Sequence, residues 1–407
     1  MEQSWTSLSS KQIHDRVFEA NQQNINYQSE YILGVPASDL DECVFYKNEP
    51  FLKKAPFLYT MVQNPNHIGC HTLGKSERFF NGTQAIEREV IEICSSSIMG
   101  AEPNSCDGYV SAGGTEANIQ AMWIYRNYFM YELGVNQSNI AILCSEDTHY
   151  SADKGANLLS LNLIKIGVDD ERVVLKKELD LALNMAVNRG ITHFVVLANM
   201  MTTMFGSVDD VDVYVKALRA QNCTFKLHVD GAYGGFYHPF VDQGSCLNFS
   251  NAYVDSITLD AHKMVQAPYG TGIFLIRKGW MQYATTNQAS YVEGEDSTLA
   301  GSRSGANAVA IWMILKTYGY EGWKDRISML QERTNSLCLS LTEMGIAFYR
   351  NPKSNIVAIN ASHISATSSS KFGLVPDNHH HPKWYKVVIM THVTQNKIDK
   401  FLAEIKI

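Results

Sequence analysis

Five short apolar runs mark the middle of this 407-residue chain, and their spacing restricts the fold more than any other feature. They are Ile140–Cys144, Leu163–Ile166, His193–Ala198, Lys226–Val229 and Ser256–Leu259, each followed by a turn or a helical stretch. Runs of this length between turn signals read as buried strands. Strands that alternate with helices imply a mainly parallel sheet wrapped on both faces, because parallel neighbours need a long crossover connection. After Gly305 a helical stretch, Ala306 to Tyr318, leads into a smaller α+β segment. Its expected strands are Ile356–Ile359 and Val387–Met390, and Gln395 to Glu404 is the last helix. The first fifty-odd residues are polar and mixed, with a helix expected over Lys11–Gln22 and a turn near Gly34-Val35-Pro36. The expected organisation is an N-terminal arm over 1–59, a large domain over 60–304 and a small C-terminal domain over 305–407.

Composition narrows the partners. With 45% hydrophobic and 18% charged residues, a substantial core is available. The formal net charge of −7, without a Lys/Arg-rich stripe, argues against a nucleic-acid partner. No basic segment followed by an apolar stretch opens the chain, and no apolar run reaches the ~20 residues a membrane span needs. Eight cysteines without a C-x-x-C pair are expected to be reduced thiols of a cytoplasmic protein. The run His379-His380-His381 is not read as a metal site, because adjacent histidines do not share a helix face.

In open α/β sheets, ligands collect beyond the carboxyl ends of the strands. Asp230, in His228-Val-Asp-Gly-Ala232, and Lys263, in Asp260-Ala-His-Lys263, fall at or just past two such ends. A lysine and an aspartate so placed look like the two ends of a pyridoxal 5′-phosphate (PLP) site. The amine would hold the aldehyde as a Schiff base, and the carboxylate would keep the pyridine nitrogen protonated. That pairing is worth about 4 kcal/mol at ~4 Å and an effective dielectric near 20. Ala232 offers a small face for a flat ring, and His262 could donate to a phosphate or hold the imine. A strand-end aspartate opening a glycine-rich turn, and a surface lysine, are the plain alternatives.

Upstream, Ser111-Ala-Gly113-Gly114-Thr115-Glu-Ala-Asn118 lies where the apolar Tyr109-Val110 gives way to a helix. Two glycines free the backbone to curl, and a helix start presents unpaired N–H groups, which suits a phosphate. Thr115 could add a hydroxyl donor. A Gly-Gly turn capped by Thr115 would read the same in isolation.

Gly-Gly-Thr-Glu-Ala-Asn, His-Val-Asp-Gly-Ala-Tyr-Gly-Gly, Asp-Ala-His-Lys and Ala300-Gly-Ser-Arg-Ser-Gly305 occur in this order. Together they resemble the group II PLP-dependent amino-acid decarboxylases, from about residue 60 to the C-terminus. The likeness is greatest to compact members such as archaeal tyrosine/aspartate and bacterial histidine decarboxylases. The resemblance implies the aspartate aminotransferase-like fold (fold type I), and a homodimer with active sites at the interface. It implies Lys263 as the lysine that carries PLP, Asp230 as the pyridinium partner and His149 as the ring-stacking histidine. Gly113, Gly114, Thr115 and His262 would hold the phosphate, with Ser302 reaching it in a neighbouring subunit. Tyr291 would sit on a mobile catalytic loop and protonate the α-carbon.

Two departures stand out. Where many relatives have Ala-Thr-x-Gly-Thr-Thr, this chain has Ala198-Asn-Met-Met-Thr-Thr203, in which Asn199 could still bond the cofactor's ring hydroxyl. Thr391 stands where relatives often have proline. The implied reaction is decarboxylation of an L-amino acid to its amine, with the carboxylate bond held perpendicular to the ring. An aromatic or imidazole side chain is the first expectation, with His71 as its candidate reader, and aspartate or glutamate the next. The alternatives are a carbon–carbon lyase of the sphingosine-phosphate lyase type and a PLP-binding protein without turnover. A cysteine desulfurase would need a mobile reactive cysteine downstream, and the only one there is Cys338 in a helical stretch.

Overall fold

The computed structural model describes residues 5–35, 39–68, 78–284 and 296–405. Its centre is a seven-stranded sheet of β1 (Cys106–Ser111), β2 (Ile140–Ser145), β3 (Asn162–Ile166), β4 (His193–Asn199), β5 (Thr224–Gly231), β6 (Val254–Asp260) and β7 (Gly272–Arg277). The spatial order is β1-β7-β6-β5-β4-β2-β3. Pairs β3/β2, β2/β4, β4/β5 and β5/β6 are parallel, while β7 runs antiparallel to both β6 and β1. Period-two alternation feeds two cores. In β2, Ala141 and Leu143 join the cluster that includes the long C-terminal helix, whereas Ile142 and Cys144 pack with the helix Gly114–Asn127. That is the mainly parallel, doubly covered sheet expected from the strand–helix alternation.

Three details differ from the sequence reading. The run Leu163–Ile166 reads as a buried strand, but β3 is the sheet edge and only Ile166 in it is buried. Strands β1 and β7 are absent from that reading: β1 carries Asp107 and Gly108 inside its run, and both strands depend on antiparallel pairing with distant partners. The C-terminal strand is Trp384–Val388 rather than Val387–Met390. Ile389 N–H still bonds the Asn355 carbonyl at 2.9 Å in the same register, and the pairing ends there, since Met390 N–H turns back to the Val388 carbonyl.

The small C-terminal domain has its own four-stranded antiparallel sheet, built from Phe348–Tyr349, Ile356–Asn360, Val375–Pro376 and Trp384–Val388. Helices Ala366–Phe372 and Gln395–Ile405 belong to the same region. The helix expected over Ala306–Tyr318 runs on as Gly305–Glu343 and bends at Gly319 (φ +62°). A Cβ there would lie 2.5 Å from the Ser7 nitrogen, so the glycine is required for the close approach of the N-terminal segment. Trp5 is buried beside this bend and donates its indole N–H to the Leu315 carbonyl at 2.7 Å. Helix Ser10–Gln22 adds Ile13, Val17 and Ala20 to the same core.

A short ladder of Asn66–Ile68 with Ser302–Ser304 is anchored by Glu87. The Arg303 guanidinium pairs with the Glu87 carboxylate and donates to the Val110 carbonyl at 3.1 Å. His67 Nδ1 lies 3.2 Å from the same carboxylate. Burial alone would raise the Glu87 carboxyl, but Arg303 and His67 outweigh it and hold the group well below the usual range. The seven described cysteines are all free thiols. No helix among the described residues is long and apolar enough to cross a membrane.

Candidate active site

The carboxyl ends of β4, β5 and β6 meet the start of helix Gly114–Asn127 around a cavity of about 490 Å3. Gly113, Gly114, Thr115, His149, Asn199, Asp230, Ala232, His262 and Lys263 all line it. These nine sequence-selected residues come from five separate stretches of chain. Ser302 does not line the cavity and is exposed on its short strand. Tyr291 and His71 lie outside the described residues.

The glycine turn is shaped by what surrounds it. A Cβ on Gly114 would lie 2.9 Å from Asp260 Oδ2 and 3.0 Å from the Ala232 Cβ. A Cβ on Gly272 would lie 2.5 Å from the Gly113 Cα. No side chain caps the helix start, so the turn does not take the Thr115-capped form. Glu116 instead folds back to accept the Ala112 N–H at 2.9 Å, closing the turn. The uncapped start of a 14-residue helix turns its free N–H donors to the cavity, an arrangement that suits a phosphate.

Lys263 projects from the tight turn Ala261–Val265 that follows β6. Its Nζ lies 3.1 Å from Asp260 Oδ2, and His262 Nε2 lies 3.5 Å from the same oxygen. Asp260 Oδ1 and His262 Nδ1 are buried without a hydrogen-bond partner. An unpaired imidazole nitrogen beside an amine and an uncapped helix start matches a site that takes an anionic, aldehyde-bearing group such as PLP. Burial raises the Asp260 carboxyl, against the pull of Lys263 and His262, and burial lowers the His262 imidazole.

Asp230, at the end of β5, stands in register with Asn199 on β4. It accepts the Ala232 N–H at 3.1 Å and the Asn118 amide at 2.8 Å. His149 is lowered by burial, and its Nδ1 accepts the Ser151 N–H at 3.2 Å. The imidazole is thereby neutral and oriented. Asn199 donates its amide to Asp209 Oδ2 and Thr148 Oγ1, each at 2.8 Å. Its side-chain carbonyl takes no part in these bonds. Burial pushes the Asp209 carboxyl up to about 7, although the Asn199 donors oppose this.

Met201, at the position where the resemblance has glycine, takes φ +70°, is 3% exposed and lines the cavity. A left-handed backbone at a bulky residue stores strain. Sequence reasoning gives no role to Asn118, His228 or Ser151, which surround Asp230 and His149. A signal is available, because His228 shares a strand face with Asp230 at i−2, and Asn118 lies one helical turn after Gly114.

The pyridoxal-dependent decarboxylase conserved domain matches residues 86–356. A tryptophan decarboxylase of Clostridium sporogenes is 44% identical over 404 residues, spanning 99% of this chain and 97% of that one. A probable L-tyrosine/L-aspartate decarboxylase of Methanococcus maripaludis is 29% identical, with 94% of each chain covered. Among solved structures, L-methionine decarboxylase from Streptomyces sp. 590, complexed with L-methionine methyl ester, superposes with a TM-score of 0.71. That match covers 97% of this chain and 93% of the other at 21% identity, a likeness of fold.

Proposed function

We propose that this chain, which belongs to the pyridoxal-dependent decarboxylase family, decarboxylates an aromatic L-amino acid, with L-tryptophan the first candidate. Family membership makes it a PLP-dependent carboxy-lyase acting on an amino acid. The observation that carries the aromatic reading is the 44% identity, over nearly the whole chain, with a tryptophan decarboxylase. The cavity supports it: Tyr150, Tyr233, Tyr269 and Met201 contribute to its walls, and Lys263 is the only lysine or arginine among its described lining residues. An acidic side chain would call for a further cation there.

Bound PLP supplies an electron sink for the pair freed at Cα when the carboxylate leaves. The roles proposed for the protein groups are as follows; for Tyr291 and His71 they rest on the resemblance alone. Lys263 would hold the cofactor through its amine and would be the group that releases it to the substrate amine. Asp230 keeps the ring nitrogen protonated, and the neutral His149 packs on the ring face. The helix start at Gly114, with Thr115 and His262, holds the phosphate and so fixes the ring against which the substrate is oriented. Asn199 accepts from the ring hydroxyl through its side-chain carbonyl. Tyr291 delivers the proton to Cα, and His71 reads the side chain. We place a second subunit against the site, with Ser302 reaching its neighbour's phosphate. The exposure of Ser302 outside its own cavity supports that reading.

The test is detection of amine and CO2 from a panel of L-amino acids, alongside the absorbance spectrum of the holoenzyme and of Lys263→Ala. CO2 from tryptophan or another aromatic amino acid, lost in the variant together with the cofactor band, is the expected result. A cofactor band with CO2 only from acidic or aliphatic amino acids would overturn the aromatic reading.

A further inference from the structure

Behind the Asp230 carboxylate runs a branched chain of buried side chains linked by hydrogen bonds. Asn118, 1% exposed, is its node. Its Nδ2 donates to Asp230 Oδ2 at 2.8 Å and to Ser151 Oγ at 2.9 Å, and its Oδ1 faces His228 Nε2 at 2.9 Å. The reverse amide orientation would set an oxygen against the carboxylate, so the arrangement is unique. Oδ1 can only accept, which puts the hydrogen of His228 on Nε2, where Thr258 Oγ1 also lies at 3.0 Å. His228 is fully buried, and burial pulls its imidazole down to about 4, so it is neutral and its Nδ1 is an acceptor. Ser256 Oγ donates to that nitrogen at 2.7 Å and receives the Tyr125 hydroxyl hydrogen at 2.5 Å. A second branch leaves Asn118 through Ser151, whose Oγ donates to His149 Nδ1 at 3.1 Å.

We propose that Asn118 is a positioning residue for the reaction, orienting at once the carboxylate assigned to the ring nitrogen and the imidazole assigned to the ring face. Along the main branch every hydrogen points towards Asp230: Tyr125 to Ser256, Ser256 to His228, His228 to Asn118, Asn118 to the carboxylate. Aligned donors of this kind polarise one another and stabilise negative charge at the end of the chain. The side branch leaves His149 Nδ1 occupied as an acceptor, which puts its ring hydrogen on Nε2. Asn118 sits in the cavity wall with both its amide hydrogens and its oxygen engaged by protein groups, so it acts through Asp230 and His149. The inference rests on the assignment of Asp230 to the ring nitrogen.

The experiment loads the enzyme with pyridoxal phosphate carrying 15N in the ring and reads the nitrogen's chemical shift by NMR. Turnover of L-tryptophan is measured alongside, in the wild type, Asp230→Asn, Asn118→Leu and Tyr125→Phe. Asp230→Asn should move the shift towards the unprotonated value. Asn118→Leu, similar in volume but without donors, should move it in the same direction. It should also lower kcat by roughly ten- to hundredfold and leave KM within about threefold. Tyr125→Phe, which removes one oxygen at the far end, should give a smaller displacement of the same sign. A wild-type ring nitrogen in Asn118→Leu, with Asp230→Asn displaced, would overturn the proposal while leaving the Asp230 assignment standing. No displacement in Asp230→Asn would remove that assignment and the proposal with it. Should Asn118→Leu fail to fold, Tyr125→Phe decides, and a wild-type shift there overturns the chain of donors.

Discussion

Gly114 and Asp260 approach so closely that a Cβ on the glycine would lie 2.9 Å from Asp260 Oδ2, the oxygen that also pairs with Lys263. The glycine turn and the lysine turn are therefore one mechanical unit. Gly114→Ala should push Asp260 off Lys263 and tighten the cradle, at about 1–3 kcal/mol for overpacking. PLP affinity of the apoprotein should fall by at least about tenfold, read by absorbance titration. Gly113→Ala is the internal comparison, since its Cβ would meet His262 Cε1 at an ordinary 3.6 Å, and it should lose less. Equal losses in the two variants would contradict this geometry.

Met201 sets backbone strain against burial. Met201→Gly relieves a left-handed conformation worth about 1 kcal/mol, yet gives up a buried side chain worth about 2–5 kcal/mol. The larger effect wins, so a net destabilisation of about 1–4 kcal/mol is expected in urea unfolding. A stabilised variant would mean that the strain exceeds the packing.

Asp209 makes stability depend on pH. Its folded value near 7 is above the ordinary carboxyl range near 4, so between these limits the native state holds a proton that the unfolded chain does not. Its contribution is therefore present below about pH 4 and is lost as pH rises through about 7. Relative to the wild type, Asp209→Asn should gain stability from pH 5 to pH 7, by up to about 1.4 kcal/mol per unit, and hold level above. Burial-lowered histidines such as His149, His228 and His262 have the opposite pH dependence, but both proteins share them and they cancel in the difference. Chemical denaturation at fixed pH values measures it, and a difference that shrinks on alkalinisation would refute the sign.

Arg303→Met should be the most destabilising of these changes. It leaves the Glu87 carboxylate buried without its guanidinium, at about 3–5 kcal/mol. Adding Glu87→Gln should restore a large part of that loss, because the penalty lies in the uncompensated charge rather than in the missing contact. Thermal melts of the single and double variants distinguish this from simple loss of packing, which would be additive.

Much of the fold is legible from local pattern. Strands β2, β4, β5 and β6 announce themselves because parallel central strands are buried on both faces and read as unbroken apolar runs. Strands β1 and β7 do not, since an antiparallel pair can carry Asp107 and Gly108 provided a distant partner completes the ladder. The apolar pattern starts the Trp384–Val388 strand three residues late, because Trp384, Tyr385 and Lys386 pair across the ladder without forming an apolar run, while Ile389 and Met390 pack against the core beyond it.

The site divides along the same line. Gly113, Gly114, Asp230 and Lys263 can be picked out in sequence because strand ends and glycine turns are local, and the parallel topology then has to bring them to one edge of the sheet. Nothing local says that Asn118 meets Asp230 across 112 residues, or His228 across 110. The sequence by itself determined which side chains could do the chemistry and on which edge they gather. Only the tertiary structure decided which of their hydrogen-bonding atoms are taken and which are left for a ligand. That follows because the direction of a buried hydrogen bond depends on both partners, and the partners here are neighbours in space alone.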